Sequence, residues 1–268
     1  MDKPIRRVLT IAGSDSCAGA GVQLDLRVFD HLGVYGMTVI TAVTAQNSLG
    51  VQKINKVPPR IVAAQIDSVA CDLGIEACKI GMLYDPSIVE AVADRIARRE
   101  ITNVVLDPVI AAKDGTLLLS YKGIKRIKRF LLPKVRVITP NVPEAEILSG
   151  ISISSIEDVK QAAEIIYGMG CSNVLIKGGH LDGSPDDMLF DGEEFTTFPG
   201  TRIKGMPVHG TGCAYSAALT VRIALGDTIP AAAEFAKSYV SERIKSAVKL
   251  GKGSLLMVFK VDGGQCYD

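Results

Sequence analysis

Short apolar runs alternate along this chain with longer segments in which apolar residues recur at helical spacing. The short runs are rich in β-branched residues and predict strands over 7–12, 38–43, 77–81, 103–107, 135–139 and 173–177. The longer segments predict helices over 22–32, 61–73, 211–225 and 229–248. Two more runs, 188–191 and 194–198, meet at Asp191-Gly192 and are typical of a β-hairpin. Because apolar strands alternate with helices, the pattern predicts an α/β protein with a mostly parallel central sheet, covered on both faces.

Composition narrows the class of protein. The chain has 268 residues, 47% hydrophobic and 22% charged, which is typical of a globular protein; without a linker, residues 1–268 are expected to form one domain. The net charge is only +1, whereas proteins that bind nucleic acids usually carry an excess of basic residues. No apolar run approaches the roughly 18–20 residues of a membrane span, and residues 1–7 lack the apolar stretch of a signal peptide. The six cysteines include no C-x-x-C pair, so we expect reduced thiols, no zinc site and a cytoplasmic protein.

A polar or glycine-rich stop follows each predicted parallel strand. The stops begin at Gly13, Ala45, Gly81, Asp107, Thr139 and Lys177. In open α/β sheets, ligands bind outside the carboxyl ends of the strands. The repeated placement of these stops therefore predicts a ligand site along that edge of the sheet.

The segment Gly210-Thr211-Gly212-Cys213 precedes an apolar helix and predicts an anion site. Glycines let the backbone approach a ligand closely. The first amides of a helix have no partner within it, and the helix dipole adds positive charge, which suits phosphate. The alternative is a tight turn that needs glycine only for its shape.

Several motifs occur together in a fixed order. They are Gly13-Ser-Asp-x-x-x-Gly-Ala-Gly-x-Gln23, Tyr35-Gly-Met37, Ala45-Gln-Asn47, Lys79-Ile-Gly-Met82, Asp107-Pro-Val109, Thr139-Pro-Asn141-x-x-Glu144, Lys177-Gly-Gly-His180 and His209-Gly-Thr-Gly-Cys213. Over about residues 8–250 the chain resembles the hydroxymethylpyrimidine/phosphomethylpyrimidine kinases, thiamine-biosynthesis enzymes of the ribokinase-like superfamily. It departs from their pattern at Cys17-Ala18 and in the tail 251–259.

The resemblance implies a ribokinase-like three-layer α/β/α fold without a large lid domain, and a homodimer. It implies ATP- and Mg²⁺-dependent phosphorylation of 4-amino-5-hydroxymethyl-2-methylpyrimidine, followed by conversion of the monophosphate to the diphosphate. The first alternative is a pyridoxal or pyridoxine kinase, against which Ala45-Gln46-Asn47 weighs. The second is a non-catalytic pyrimidine sensor, which would not need the intact phosphate-site residues.

On the nucleotide side, the resemblance implies that Asp107 and Glu144 help to bind the metal ion and that Asn141 and Lys177 contact the phosphates. Asn-x-x-Glu is also a capping-box pattern, so both roles can hold at once. The alternative for Lys177 is a solvated lysine without a role in binding. The alternative for His180, at the end of the same motif, is a hydrogen bond within its own loop.

On the substrate side, we expect Gln46 to contact the aminopyrimidine edge, because a carboxamide donates and accepts hydrogen bonds in one plane. Asp25 is a second candidate, with a solvated helix carboxylate as its alternative. Met82 and Val109 are expected to pack against the pyrimidine ring; the alternative is that they only fill the hydrophobic core. Gly13 and His209 complete the expected substrate contacts.

The acceptor hydroxyl is expected to face Cys213, with the γ-phosphate at the amides of Gly210, Thr211, Gly212 and Cys213. A thiol at a helix N-terminus can have a lowered pKa, whereas nearby phosphates oppose this. Phosphoryl transfer depends more on positioning and charge than on a strong base. We therefore rank the amides above the thiol.

Overall fold

A computed structural model of the protein describes residues 4–112, 115–178, 185–203 and 205–259. Its strands are β1 (Arg7–Asp15), β2 (Tyr35–Asn47), β3 (Gly50–Lys56), β4 (Ala77–Ile80), β5 (Val104–Leu106), β6 (Val137–Ile138), β7 (Val174–Ile176), β8 (Asp187–Phe190) and β9 (Phe195–Phe198). Its α-helices are α1 (Gly21–His31), α2 (Pro59–Asp72), α3 (Pro86–Arg98), α4 (Tyr121–Arg126), α5 (Val142–Ser149), α6 (Ile156–Tyr167), α7 (Thr211–Ala224) and α8 (Ile229–Lys245). A π-helical turn, Ile127–Leu131, and a 3₁₀ turn, Leu132–Lys134, continue α4.

All nine strands of the described residues form one sheet in the order β3-β2-β1-β4-β5-β6-β7-β8-β9. The six strands from β2 to β7 in this order are parallel, whereas β3, β8 and β9 are antiparallel to their neighbours. The predicted parallel sheet and the β8–β9 hairpin are confirmed. The antiparallel edge strand β3 was not predicted, because Gln52, Lys53, Asn55 and Lys56 give it a polar and exposed pattern.

Successive side chains of a strand point to opposite faces of the sheet, and the two faces pack into different hydrophobic clusters. Val8 faces the cluster that contains α1, α7 and α8, whereas its neighbour Leu9 faces the cluster that contains α2 to α6. Helices therefore cover both faces, as the sequence predicts. Among the described residues, no helix combines the length and the apolar character needed to cross a membrane.

Small residues bring α7 close to the sheet. Ala214, Ala217 and Ala218 are completely buried against strands that include Val105 and Val137. The helix packs against β4 and β5. Gly212 in its first turn lies close to Asp107 and Lys177, which follow β5 and β7 directly, so the N-terminus of α7 lies at the carboxyl ends of the parallel strands.

Candidate active site

A cavity of about 810 Å³ opens at the carboxyl ends of the parallel strands. It gathers most of the residues that the sequence singles out. Those that line it are Gly13, Gln46, Met82, Asp107, Val109, Asn141, Glu144, Lys177, His209, Gly210, Thr211, Gly212 and Cys213. Their shared position agrees with the expected edge of the sheet, and the ligand that each contacts stays a prediction. His180 lies outside the described residues.

The backbone before α7 requires glycine. Gly210 adopts a left-handed conformation, with φ of 80°, and a Cβ atom there would collide with the carbonyl oxygen of Gly19. At Gly212, a Cβ atom would stand 3.5 Å from both Asp107 Oδ2 and Lys177 Nζ. The start of α7 therefore faces a charged pair across a narrow gap, where its first amides can meet an anion.

Lys177 and Asp107 form an ion pair at the floor of the cavity. Lys177 Nζ lies 2.9 Å from Asp107 Oδ1, and the Ser216 hydroxyl approaches Asp107 Oδ2 at 3.5 Å. Burial opposes the charge on Lys177, but the attraction of Asp107 and Glu144 outweighs it and raises the lysine pKa. The alternative of a solvated lysine is therefore wrong.

Asn141 and Glu144 form a capping box at the start of α5. The backbone amide of Glu144 donates to Asn141 Oδ1, and that of Asn141 donates to Glu144 Oε2, both at 2.9 Å. Burial raises the pKa of Glu144 to about 7; Lys177 opposes the rise and Asp107 adds to it. Among the described residues, no group of three or more His, Cys, Asp or Glu side chains could hold a metal by itself.

Asp25 does not reach the cavity, which corrects its expected role as a substrate contact. Its side chain is completely buried, and its oxygens lie 2.8 and 3.0 Å from Lys79 Nζ. The hydroxyl of Thr10 donates to Asp25 Oδ2 at 2.6 Å. The helix α1 turns this carboxylate toward the sheet, so the alternative of a solvated carboxylate is also wrong.

Gln46 is held from two sides before any ligand binds. Its Nε2 atom lies 3.0 Å from His209 Nε2, and the Thr44 hydroxyl approaches its Oε1 atom at 3.3 Å. Ser16 clamps the Gln46 backbone through its hydroxyl, which donates to Gln46 O at 2.7 Å and accepts from Gln46 N at 2.9 Å. The Gln46 side chain therefore has a defined position on the cavity wall.

Asp15 organises the glycine-rich loop and was missed from the sequence. Its carboxylate accepts hydrogen bonds from the backbone amides of Cys17, Gly19 and Ala20, at 2.8 to 3.1 Å. Its Oδ2 atom also lies 3.0 Å from His209 Nε2. An aspartate directly before a glycine-rich loop is a signal for this kind of loop cap.

The C-terminal segment 253–257, whose role was open in the sequence, ties together two substrate-side loops. The amide of Ser254 donates to Ser48 O, and the amide of His209 donates to Leu255 O, both at 2.9 Å. Ser48 follows closely on Gln46, so this segment connects the chain beside Gln46 to His209, two of the expected substrate contacts. Met257 anchors the segment, because its side chain is almost completely buried.

Cys213 carries a protonated thiol at neutral pH. Burial raises its pKa to about 11; the Lys79 charge opposes this rise, whereas Asp25 and Asp107 add to it. The lowering of the pKa that a helix N-terminus can produce is therefore outweighed. The geometry agrees with a site in which backbone amides, rather than a thiolate, meet the phosphate.

The chain is similar to known kinases over most of its length. A family model described as phosphomethylpyrimidine kinase matches residues 15–257. Hydroxymethylpyrimidine/phosphomethylpyrimidine kinases of Bacillus subtilis and Haemophilus influenzae are 45% and 43% identical to it, over 93% of this chain and 93% and 94% of theirs.

Solved structures share the fold. A phosphomethylpyrimidine kinase from Clostridium difficile has a TM-score of 0.81 at 39% identity, over 89% of this chain and 99% of that one. A Staphylococcus aureus pyridoxal kinase in complex with ADP has a TM-score of 0.89 at 34% identity, over 96% and 94%. The sequence match and the ribokinase-like fold agree, and the chain belongs to the phosphomethylpyrimidine kinase family.

Proposed function

We propose that this protein uses ATP to phosphorylate 4-amino-5-hydroxymethyl-2-methylpyrimidine and then its monophosphate, in thiamine biosynthesis. One observation carries the proposal: a single cavity joins the planar amide of Gln46 to the glycine-containing start of α7 and to Lys177. The names of the relatives support the same substrates. A relative named as a bifunctional thiamine-biosynthesis protein, 43% identical, supports the pathway.

The transfer is direct and in line. The amides of residues 210–213 receive the γ-phosphate, and Lys177 contributes a point charge to the phosphates. The acceptor hydroxyl approaches beside Cys213, whose protonated thiol is not a general base. The hydroxyl proton leaves late in the transfer, to an oxygen of the incoming phosphoryl group and then to solvent. Because the transition state of phosphoryl transfer is loose, alignment and charge stabilisation account for most of the rate.

Asp107 and Glu144 suit Mg²⁺ as partial ligands. Mg²⁺ usually keeps several waters and takes one or two carboxylates together with substrate phosphates. The mutual repulsion of Asp107 and Glu144, which contributes to the raised pKa of Glu144, is what a cation would relieve. A bound Mg²⁺ would neutralise charge on the β- and γ-phosphates, while Lys177 and the amides orient them.

We also propose a cytoplasmic homodimer. Within the described residues all five cysteines are free, which suits a reducing compartment. Tyr35, Val43 and Leu49 each expose at least half of their surface along β2 and the turn after it, and a second copy could cover them. Light scattering of the purified protein tests the dimer; a monomeric mass at micromolar concentration contradicts it.

An ADP-release assay with three acceptors tests the activity. We expect turnover of the pyrimidine alcohol and of its monophosphate, and much lower kcat/KM for pyridoxal. Pyridoxal is the necessary comparison, because pyridoxal kinases from Bacillus subtilis and Staphylococcus aureus share the fold, with TM-scores of 0.87 and 0.89. Preference for pyridoxal would establish the alternative kinase, and pyrimidine binding without ADP release would indicate a sensor.

A further inference from the structure

A completely buried ion pair lies beneath the cavity, outside its lining. Thr10 on β1 and Lys79 on β4 are direct neighbours in the sheet register, and both side chains meet Asp25 on α1. The two charged side chains have no exposed surface. Three elements thus converge on one charge pair in an otherwise apolar layer between the sheet and the helices.

The Lys79 side chain leans along its strand toward the cavity edge. Gly81 follows two residues later on the same face of the sheet, and a Cβ atom there would stand 2.9 Å from Lys79 Nζ and 3.2 Å from Ala12 Cβ. The absence of a side chain at Gly81 leaves room for the ammonium group at the carboxyl end of β4. The helix α7 packs against β4.

The charge on Lys79 reaches the reaction site. Burial opposes protonation of Lys79, but the charge and hydrogen bond of Asp25, together with the charge of Asp107, outweigh it and raise the lysine pKa, so the ammonium persists at neutral pH. In the reverse direction, Lys79 affects the thiol of Cys213 more strongly than Asp25 does. At this thiol, in the first turn of α7, the positive charge of the pair therefore acts more strongly than the negative one.

Stability alone does not explain such a pair. Two charges taken from water carry a desolvation cost that often exceeds their attraction, and packed apolar residues of similar volume serve a core as well or better. The surrounding residues, such as Ala12, Leu24 and Ala77, show that this layer accepts apolar side chains. A fixed charge beneath a water-poor site, however, needs no reorganisation during the reaction.

We infer that Lys79, held by Asp25, is a positioning residue for phosphoryl transfer: it supplies a fixed positive charge under the start of α7, where the acceptor oxygen meets the transferred phosphoryl group. The inference rests on the proposed kinase activity. It assigns Asp25 to the support of Lys79.

The test compares the wild type with the double variant Asp25→Asn/Lys79→Met, which removes both charges at similar volume. We expect a cooperative melt and nearly unchanged KM for ATP and pyrimidine, with kcat lower by about 10–100-fold, as for other supporting contacts around reaction centres. Affinity for ADP with aluminium fluoride, measured with pyrimidine present, should fall by the same factor, whereas affinity for ADP alone should not change. Thr10→Val is the control, because it removes the hydrogen bond to Asp25 but keeps both charges, and it should retain most of kcat.

Gly81→Ala keeps both charges but displaces the ammonium group of Lys79. It therefore tests the role of Lys79 even if the double variant does not fold. It should lower kcat several-fold with KM little changed. Wild-type kcat in a folded double variant, or in Gly81→Ala, overturns the inference while leaving the kinase activity standing. An inactive wild type with every acceptor would instead overturn the proposed function.

Discussion

Gln46 and His209 meet through their Nε2 atoms, 3.0 Å apart, although 163 positions separate them in the chain. The same ring nitrogen of His209 lies 3.0 Å from Asp15 Oδ2. If this nitrogen carries the proton and donates to Asp15, Gln46 presents its oxygen to the ring. If it instead accepts from Gln46, two acceptors, the ring nitrogen and the Asp15 oxygen, face each other at 3.0 Å, which is unfavourable. The tautomer of His209 and the orientation of the Gln46 amide are therefore linked, and Asp15 selects the arrangement that fixes the face offered to a substrate.

Replacing Gln46 by Met should abolish pyrimidine phosphorylation without unfolding the protein. The variant loses a planar donor–acceptor pair, and a site built to hydrogen-bond its substrate can lose about 10⁴-fold in kcat/KM when pairing fails. Steady-state kinetics with the pyrimidine, together with ADP affinity and a thermal melt as controls, checks this. A variant with near-normal kcat/KM would show that Gln46 does not contact the ring.

Single and double substitutions of the Lys177–Asp107 pair should affect turnover and thermal stability differently. Lys177→Met leaves the buried Asp107 without its partner, so we expect a lower melting temperature as well as a kcat reduced by about 10²–10³-fold. The double variant Lys177→Met/Asp107→Asn removes both charges and should recover much of the melting temperature but none of the turnover. Recovery of turnover together with stability would reassign the pair to a structural role.

Glu144 should make stability depend on pH in the absence of nucleotide and metal. Its pKa rises from 4.5 to about 7 on folding, so the folded state holds the proton more tightly. The stabilisation is complete below pH 4.5 and is lost as pH rises to about 7, by about 2–3 kcal/mol in the free energy of unfolding. Urea denaturation of the wild type and of Glu144→Gln over this range gives the difference. Parallel curves for the two proteins would contradict the raised pKa.

The C-terminal bridge should affect the pyrimidine more than the nucleotide. In Gly253→Ala, the new Cβ atom collides with the carbonyl of Ser48, so the segment must move away from the turn that follows Gln46. We expect KM for the pyrimidine to rise several-fold while ADP affinity stays unchanged. Gly168→Ala is the matched control, because its Cβ atom would meet nothing closer than 3.5 Å. Equal effects of the two substitutions on pyrimidine KM would rule out this positioning role.

Periodicity and turn residues were sufficient to predict the parallel core of the sheet and the residues at its carboxyl edge. They missed β3, because a short edge strand buries too little to impose a regular apolar pattern. They misplaced Asp25, because helical periodicity treats a carboxylate as exposed and cannot show which buried cation meets it. A signal was present at Lys79, since a lysine within a fully buried strand requires a partner.

The identity of residue 213 should distinguish the two phosphorylation steps. The first step removes the proton of a hydroxyl, whereas in the second a phosphate oxygen attacks and needs no deprotonation. The Cys213 thiol is neutral, with a pKa of about 11, and so does not repel the monophosphate. An aspartate there would place a fixed negative charge beside the monophosphate, and the repulsion in a low-dielectric site is strong.

Cys213→Asp should therefore keep the first phosphorylation and lose the second, whereas Cys213→Ser should retain part of both, because the backbone amides remain. Separate rates on the alcohol and on the monophosphate decide the matter: equal loss of both steps, or wild-type turnover of the monophosphate by the aspartate variant, would refute the role of charge.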